Sequence, residues 1–490
     1  MVRAALAVFL LALVACAERA PQSIVFAVAT APSMLDPRLA SDAASERVNA
    51  LLFARLVRLD EHGLPQPEMA TWQQLAPDHY RFSLRPGRAS FWDGRLPSAG
   101  DVHATYRGLL QPALASPHAG GLSHISDINV VDDETIDFHL TRVDPLFPTR
   151  LTVGILPAEI AELPRAIDTP IGSGSFAFVR RESHGGLVLR RRGDGQRVVF
   201  EPVSDPTMRV LKLMRGEANL VQNDLPPELV AYLGRQADVA LSTRPGTTFA
   251  YLGFNLSDPQ LGARQVRAAV AHAIDRDAII RYLFGGRAER SGSILRPQHW
   301  SGAADLAGFA FDPERARKLL AQAGFDAANP LRLEYKTSTD PLRLRIAHVF
   351  QQQLAYVGIE MKISSYDWGT FFGDIKGGRF QLYSLAWVGV NSPEILRYAF
   401  HSDSLPPAGA NRGRYRSDEV DRLIERAEAS PMREAKPLLH AVQKKIHDDI
   451  VYVPLWYEAN IAASRGVSGY LPGYDGNYLA LEQVVMSDGH

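Results

Sequence analysis

The stretch Leu331–Trp387, LRLEYKTSTDPLRLRIAHVFQQQLAYVGIEMKISSYDWGTFFGDIKGGRFQLYSLAW, decides the fold class. Its apolar positions switch between strand and helix periodicity along the chain. They predict, in order, strand Leu331–Tyr335, helix Pro341–Val357, strand Ile359–Ser364, helix Trp368–Ile375 and strand Phe380–Trp387. Strand–helix–strand alternation at this spacing favours a parallel sheet covered by helices. The stretch therefore predicts an α/β fold.

The chain before this stretch has a different pattern. Short alternating runs predict strands over Ile24–Ala29, Tyr80–Leu84, Thr135–Leu140, Phe176–Val179, Leu187–Arg191 and Val198–Val203. Helices are predicted over Pro206–Arg215, over Ala263–Phe284 and from Pro313 to Gly324, the last with Asp312 as its N-cap. Because the alternating stretch differs from the segments on either side, we expect a second lobe inserted into the first. The architecture predicted is two α/β lobes.

Composition narrows the class of protein. The chain has 490 residues, 46% of them hydrophobic and 22% charged, which is ordinary for a globular protein. Its 53 basic and 54 acidic residues leave a net charge of −1. That balance provides no field to attract nucleic acid, so we expect no nucleic-acid partner.

Motifs for common enzyme chemistries are missing from the sequence. There is no His-Glu-x-x-His, no Gly-x-Ser-x-Gly, no Ser-x-x-Lys and no P-loop. A single cysteine, Cys16, excludes an intrachain disulfide and a thiolate zinc site. We therefore expect a protein that is not an enzyme, with no catalytic residue, no metal and no cofactor.

Several segments, in order along the chain, carry a resemblance to a known family. They are Met34–Pro37, Tyr80–Gly87, Phe91–Gly94, Phe254–Arg276, Phe311–Phe325, Pro454–Trp456 and Val467–Tyr470. Together they resemble the oligopeptide- and dipeptide-binding proteins among the bacterial extracellular solute-binding proteins of family 5. The likeness runs from about residue 24 to residue 475.

The resemblance implies a fold and an organisation. The fold would be that of the type II periplasmic binding proteins, two mixed α/β lobes joined by crossing strands around a central cleft. Lobe one would comprise residues 22–257 and 465–490, and lobe two residues 258–464. The crossings would lie near Asn255–Leu261 and Ile461–Val467. In that family the lobes close over a ligand, and a membrane transporter recognises the closed form.

The N-terminal segment predicts export. Arg3 is followed by the apolar run Ala4–Ala15, which is too short to span a bilayer and is typical of a signal peptide. Leu13–Cys16 resembles the bacterial lipobox, in which the cysteine is acylated. We therefore expect residues 1–21 to be a signal and lipobox region, with lipid attachment at Cys16. The alternative is that Cys16 belongs to an ordinary cleavage site and has no role in the mature protein.

Candidate ligand-binding residues follow from the resemblance. Trp387 matches a family tryptophan at the end of a strand in lobe two, and its alternative role is packing at that strand end. Asn255 would bind ligand backbone through its amide or would cap the hinge strand. Met34 and Leu35 are expected on the wall of lobe one. Tyr383, Val390 and Asn391 are expected near Trp387.

Val390 is the position that departs from the peptide-binding members. They have an aspartate three residues after this tryptophan, which pairs with the ligand's α-ammonium group. A desolvated ammonium needs a carboxylate, and Glu394 is the acidic residue that follows in the same loop. The departure therefore favours a ligand that lacks the amine, such as a blocked peptide, a sugar or another solute.

Three charged residues of the segment Phe254–Arg276, called the signature segment below, are expected outside the ligand site. Arg267, Asp275 and Arg276 belong to the stretch that carries the resemblance, and we expect them in ion pairs on helix surfaces.

The function predicted is that of a monomeric receptor, anchored by lipid in the cell envelope or periplasm, for an ABC importer. It would capture a peptide or peptide-like solute by hinge closure and deliver it to membrane permease subunits. The alternatives are a sensor or chaperone-like binding protein of the envelope, and a receptor for a non-peptide solute such as a sugar or a metal chelate. An exported hydrolase that uses a non-standard pair of carboxylates is a third possibility.

Overall fold

The computed structural model describes residues 23–487, so the predictions for the signal segment and Cys16 lie outside it. Its strands are β1 Ile24–Val28, β2 Val57–Leu59, β3 Pro65–Pro67, β4 Ala70–Ala76, β5 His79–Leu84, β6 Ile125–Asp132, β7 Thr135–Leu140, β8 Phe176–Arg181, β9 Leu187–Arg191, β10 Arg197–Pro202, β11 Leu220–Gln222, β12 Ala240–Phe254, β13 Ala288–Arg290, β14 Leu331–Ser338, β15 Ile359–Tyr366, β16 Leu382–Trp387, β17 Tyr452–Ser464, β18 Val467–Ser468 and β19 Val485–Met486.

The α-helices follow the same order. They are α1 Ala43–Leu52, α2 Ala99–Leu110, α3 Ala119–Leu122, α4 Ala158–Ala161, α5 Pro206–Arg215, α6 Pro227–Leu233, α7 Arg264–Ala273, α8 Arg276–Leu283, α9 Pro313–Gln322, α10 Pro341–Tyr356, α11 Trp368–Gly377, α12 Glu394–Phe400, α13 Asp418–Glu428 and α14 Met432–Asp448. Within residues 23–487, no helix combines the length and the hydropathy needed to span a bilayer.

One large mixed sheet organises the molecule. Its strand order is β15-β14-β16-β12-β17-β11-β1-β10-β9-β8, with β13 also paired to β17. At one end β14 runs parallel to both β15 and β16, which confirms the parallel arrangement predicted from the alternating stretch. We call β14–β16 the second end and β1 with β8–β11 the first end. At the first end β1 runs parallel to β10 and β11.

Strands β12 and β17 connect the two ends as a long antiparallel pair. Residues Ala240–Arg244 of β12 pair with β17 close to β11, and Thr248–Gly253 pair with β17 next to β16. The register shifts between Arg244 and Thr248, so the strand is irregular where it passes from one end to the other. This passage lies inside β12, whereas the resemblance put the first crossing near Asn255–Leu261, just after the strand.

Residues between β1 and β8 form a further unit with its own core. The four-stranded antiparallel sheet β4-β5-β7-β6 buries Phe82, Ile136 and Phe138 against the helix α2. Alternating strands with one apolar face are what such a sheet requires. The sequence predicted β5 and β7 but did not separate this core from that of the first end.

The predicted helix over Ala263–Phe284 is wrong in its continuity, because the structure has two helices there. Ile274 adopts an extended conformation, and the Asp275 side chain accepts a hydrogen bond from the backbone N–H of Ala278 as the N-cap of α8. The Asp275 N–H in turn donates to the Gln353 side chain of α10. A cap and a tertiary hydrogen bond therefore interrupt a pattern whose apolar spacing is continuous.

Candidate functional site

Aromatic side chains from β12 and β16 meet near the passage between the two ends. Antiparallel pairing sets Phe249 opposite Trp387 and Gly253 opposite Tyr383. The Tyr251 and Trp387 rings lie nearly parallel with centroids 6.5 Å apart, and the hydroxyls of Tyr251 and Tyr383 are 3.3 Å apart. A Cβ at Gly253 would lie 2.4 Å from the Tyr383 ring, so the glycine makes room for this phenol. The register of two strands thus builds an aromatic wall.

Arg412 joins this wall from the segment between α12 and α13. Its guanidinium lies 4.3 Å from the centroid of the Trp387 ring and donates a hydrogen bond to the Tyr251 hydroxyl at 2.9 Å. The Tyr398 ring meets Trp387 edge-on, with centroids 6.0 Å apart. The arrangement pairs a cation with the face of an indole, a geometry that is attractive when water is excluded.

These residues line a cavity at the second end of the sheet. It encloses about 370 Å³ of non-atom space, including space open to solvent, between Tyr251, Tyr383, Trp387, Arg412 and neighbouring residues. Its enclosed part has room for about two water molecules. A solute would need this site to open further.

Burial keeps two of the phenols that line the cavity neutral. Burial raises the pKa of Tyr383 well above its ordinary value, with the neighbouring Tyr251 adding to the effect. Burial also raises the pKa of Tyr452, whose ring packs against Tyr251. Among the residues in the range 23–487 that line the cavity, Arg412 is the one that carries a formal charge.

The loop after Trp387 is held by backbone contacts. The N–H of Val390 donates to the Thr247 carbonyl at 3.3 Å, and the Val390 side chain is buried among apolar residues. The carbonyl of Asn391 lies 3.1 Å from His299 Nε2. Burial lowers the pKa of His299 to about 4, so the ring is neutral and its Nε2–H donates to Asn391. A ligand contact at Val390 or Asn391 stays a prediction.

Glu394 forms an ion pair with Arg150, a residue that precedes β12. Arg150 also pairs with the buried Asp144, which lies 2.9 Å from His124 Nε2. Burial opposes ionisation of Asp144, yet the hydrogen bond from His124 and the charge of Arg150 hold its pKa below the ordinary value. The Glu394 carboxylate therefore already has a cationic partner within the protein.

Further contacts join residues before β12 to residues after β13. His62 Nδ1 lies 2.8 Å from the Gln298 carbonyl, and the Trp300 N–H donates to the His62 carbonyl at 2.9 Å. Arg345 on α10 pairs with Glu228 on α6 at 2.7 Å. With the ion pair of Glu394, these contacts hold the part of the chain before β12 against the part between β13 and β17.

Asn255 follows β12 directly, and its side chain is occupied by the protein. The amide donates to the carbonyls of Gly378 and Phe380 at 3.2 and 2.9 Å, and its oxygen accepts from the N–H of Ser257. These contacts support the capping role that the sequence left open. A ligand contact at Asn255 stays a prediction.

The two residues predicted on the wall of lobe one differ in exposure. Leu35 is 2% exposed and packs in the core of the first end, so its side chain offers no surface in this conformation. Met34 is half-buried, with its N–H bonded to the Ser45 hydroxyl and its carbonyl to the Asn49 amide. A ligand contact at Met34 stays a prediction.

The three charged residues of the signature segment are not in the surface ion pairs expected for them. Arg267 and Arg276 are 7% and 2% exposed. Arg267 donates to four backbone carbonyls, including that of Asp449, and Arg276 donates to that of Pro454, while Asp275 caps α8. Buried guanidinium groups can satisfy carbonyls at helix and strand ends without a carboxylate. The expectation was wrong because a charged residue on a helix does not reveal which face is covered.

One group of residues has the composition of a metal site. His79, Asp137 and His139 lie on neighbouring strands of the four-stranded sheet, with ligand atoms within 4.8 Å of one another. However, Arg81 already binds both oxygens of Asp137 at 2.8 Å. A guanidinium in that position opposes a second cation, and we assign no metal to this group.

Sequence reasoning missed Tyr251 and Arg412. Neither carries a local signal, because Tyr251 lies in an apolar strand pattern and Arg412 in a loop with several basic residues. The hydrogen bond between them joins residues 161 apart in the chain, so only the fold brings them together.

Comparison with known proteins is consistent with this architecture. The family model described as bacterial extracellular solute-binding proteins, family 5 Middle, matches residues 65–404. The chain is 29% identical over 461 residues to the probable di/tripeptide-binding protein 5 of Pseudomonas aeruginosa, covering 86% of this chain and 87% of the relative. It is 25% identical over 512 residues to heme-binding protein A of Haemophilus influenzae, covering 93% and 91%.

A solved structure shares the fold across nearly the whole chain. The ABC transporter substrate-binding protein CtaP of Listeria monocytogenes superposes with a TM-score of 0.86 at 23% identity, covering 96% of this chain and all of that one. At this identity the likeness shows the fold alone.

Proposed function

Because the chain belongs to the bacterial extracellular solute-binding proteins of family 5, we propose that it is the receptor of an ABC importer and captures a peptide or peptide-like solute. The observation that carries the proposal is the cavity walled by Trp387, Tyr251 and Arg412, next to strands that join the two ends of the sheet. Rigid aromatic surface with a few polar groups is typical of ligand sites.

Capture would proceed by closure of two lobes about β12 and β17. We propose that the lobes comprise residues 22–257 with 465–490 and residues 258–464. The ion pair Arg150–Glu394 and the contacts of His62 support a closed arrangement here. A ligand that touches both lobes shifts the population towards that form. Since micromolar affinity supplies only about 8 kcal/mol, open and closed forms must lie close in energy.

The solute need not carry a free amine. Val390 is buried in an apolar cluster where peptide-binding members are expected to have an aspartate, and Glu394 is paired with Arg150. One relative is a probable di/tripeptide-binding protein and another a heme-binding protein, so the ligand varies among similar chains. A peptide with a blocked N-terminus fits these features, and a non-peptide solute is the alternative.

We also propose that the protein is held at the membrane by lipid on Cys16. The support is the lipobox-like sequence Leu13–Cys16 after an apolar run. Several acyl chains would be needed, because a single chain anchors a protein only marginally. Mass spectrometry of the mature protein from membranes tests this, and an unmodified N-terminus beyond residue 16 would contradict it.

Binding is tested by native mass spectrometry of the purified protein, followed by thermal-shift screening of peptides, sugars and metal chelates. We expect a co-purified or stabilising solute, whose binding raises the melting temperature.

Trp387→Ala should weaken the affinity for this solute at least about tenfold, because a rigid aromatic wall is lost. The matched control is Tyr282→Ala, since Tyr282 is 76% exposed and outside the cavity. No ligand and no stabilisation across the screen would contradict the proposal.

A further inference from the structure

The side chain of Arg412, which is half-buried in the cavity, has few partners within the protein. The guanidinium donates to the Tyr251 hydroxyl at 2.9 Å and interacts with the Tyr383 hydroxyl, although it carries five N–H donors. No acidic residue between positions 23 and 487 forms an ion pair with it, and the nearby groups that act on its charge are tyrosine phenols. Most of its donors are therefore free.

The position of Arg412 makes those free donors available to a ligand. The side chain is half-buried rather than sealed, and it lines the cavity. Its guanidinium is held near the rings of Trp387 and Phe372, at 4.3 and 5.3 Å from their centroids. These ring contacts restrict the guanidinium, so the loss of side-chain entropy on binding a ligand is reduced.

The charge of Arg412 is not balanced within the cavity. No aspartate or glutamate of the range 23–487 is among the residues that line the cavity, and Tyr383 stays neutral because burial raises its pKa well above the ordinary value. A half-buried cation without an anion gains most from a ligand that brings one. Carboxylate and phosphate groups both match the fork of N–H donors, and carboxylate is the smaller of the two.

We infer that Arg412 binds a carboxylate of the solute and that the protein selects anionic solutes. The inference rests on the proposed receptor function, which it narrows. Together with Val390, it describes a site built for an acid group rather than for an amine. For a peptide, this predicts recognition of the C-terminal carboxylate.

The test compares solutes that differ only in this group. Isothermal titration would measure N-acetylated dipeptides and simple carboxylic acids against their amides, with phosphate monoesters of similar size as a further arm. We expect the acids to bind about 10- to 100-fold more tightly than the amides, as for a charge-assisted hydrogen bond. Tighter binding of the phosphate esters than of the acids would overturn the assignment of a carboxylate.

Variants then assign the preference to Arg412. Arg412→Gln should remove the preference, so that acids and amides bind with similar affinity, and Arg412→Lys should retain part of it. The matched control is Arg416→Gln, because Arg416 is exposed in the same segment and does not line the cavity. Circular dichroism would establish that each variant is folded.

The outcomes separate the two proposals. If wild type binds acids and amides equally, or if Arg412→Gln keeps the preference, the inference about Arg412 is overturned while the receptor function stands. If no member of either series binds and no solute co-purifies, the receptor function fails and the inference fails with it.

Discussion

Arg38 at the first end of the molecule and Arg412 at the second are both covered by protein, yet they are bound in opposite ways. Arg38 is fully buried, forms two hydrogen bonds to the carboxylate of Asp36, and donates to three backbone carbonyls. Within residues 23–487, the hydrogen-bond partners of the Arg412 guanidinium are the hydroxyls of Tyr251 and Tyr383. The charge of Arg38 is balanced by a carboxylate within that part of the chain, whereas Arg412 has no anionic partner there. The difference teaches that unmatched donors, and not burial alone, point to a ligand site.

The largest effect expected from this comparison is on stability, when the carboxylate that pairs with Arg38 is removed. Asp36→Asn should lower the free energy of unfolding by about 3–5 kcal/mol, because it leaves the charge of Arg38 buried without its carboxylate. Arg412→Gln should change it by about 1 kcal/mol or less, since no ion pair is lost. Chemical denaturation measures both. Equal losses for the two variants would break the comparison.

The sequence predicted much of the fold because most of its elements are locally encoded. The strand Thr135–Leu140 and the helix Pro206–Arg215 have the bounds expected from their patterns. The break between α7 and α8 was missed because the apolar spacing continues through it, and one of the two contacts that stabilise it involves Gln353, a residue distant in sequence. The local pattern of apolar residues thus predicts where helices and strands occur, but it does not predict a break that a tertiary contact stabilises.

Residues of the site could be predicted only where the local sequence marks them. Trp387 was expected at a strand end, and the structure lines the cavity with it. Arg412 could not be found, because the partners of its guanidinium are known only after every neighbour is in position. The burial of Arg267 and Arg276 was missed for the same reason.

A second test concerns His299, whose buried ring has a hydrogen-bond partner at each nitrogen while it is neutral. It is 6% exposed, and its Nδ1 lies 2.9 Å from the Ser301 hydroxyl while Nε2–H donates to Asn391. Burial lowers its pKa to about 4. The unfolded chain takes up a proton near pH 6.5, so this contribution to stability is fully present above that pH and is lost as the pH falls towards 4. The expected loss is about 3 kcal/mol.

Denaturation curves between pH 7 and pH 4 measure this effect. Two neighbouring groups act on the pKa of His299 in opposite directions, since Asp60 raises it and His62 lowers it. His299→Gln should reduce the slope of stability against pH. His62→Gln is the matched control, because His62 is exposed and lies beside the same loop. An unchanged slope in His299→Gln would mean that other groups carry the pH dependence.

The smallest test contrasts two asparagines near the cavity. The Asn255 amide is bound to Gly378 and Phe380, whereas the Asn391 side chain makes no hydrogen bond to the residues of the range 23–487 and only its carbonyl is used. Asn255→Ala should therefore cost about 1–2 kcal/mol of stability through two unpaired carbonyls, with ligand affinity unchanged. Asn391→Ala should leave stability within about 0.5 kcal/mol and weaken ligand binding. Denaturation and titration together measure both variants. A loss of affinity in Asn255→Ala, at unchanged stability, would instead return Asn255 to the set of ligand-binding residues, because a capping role predicts the reverse.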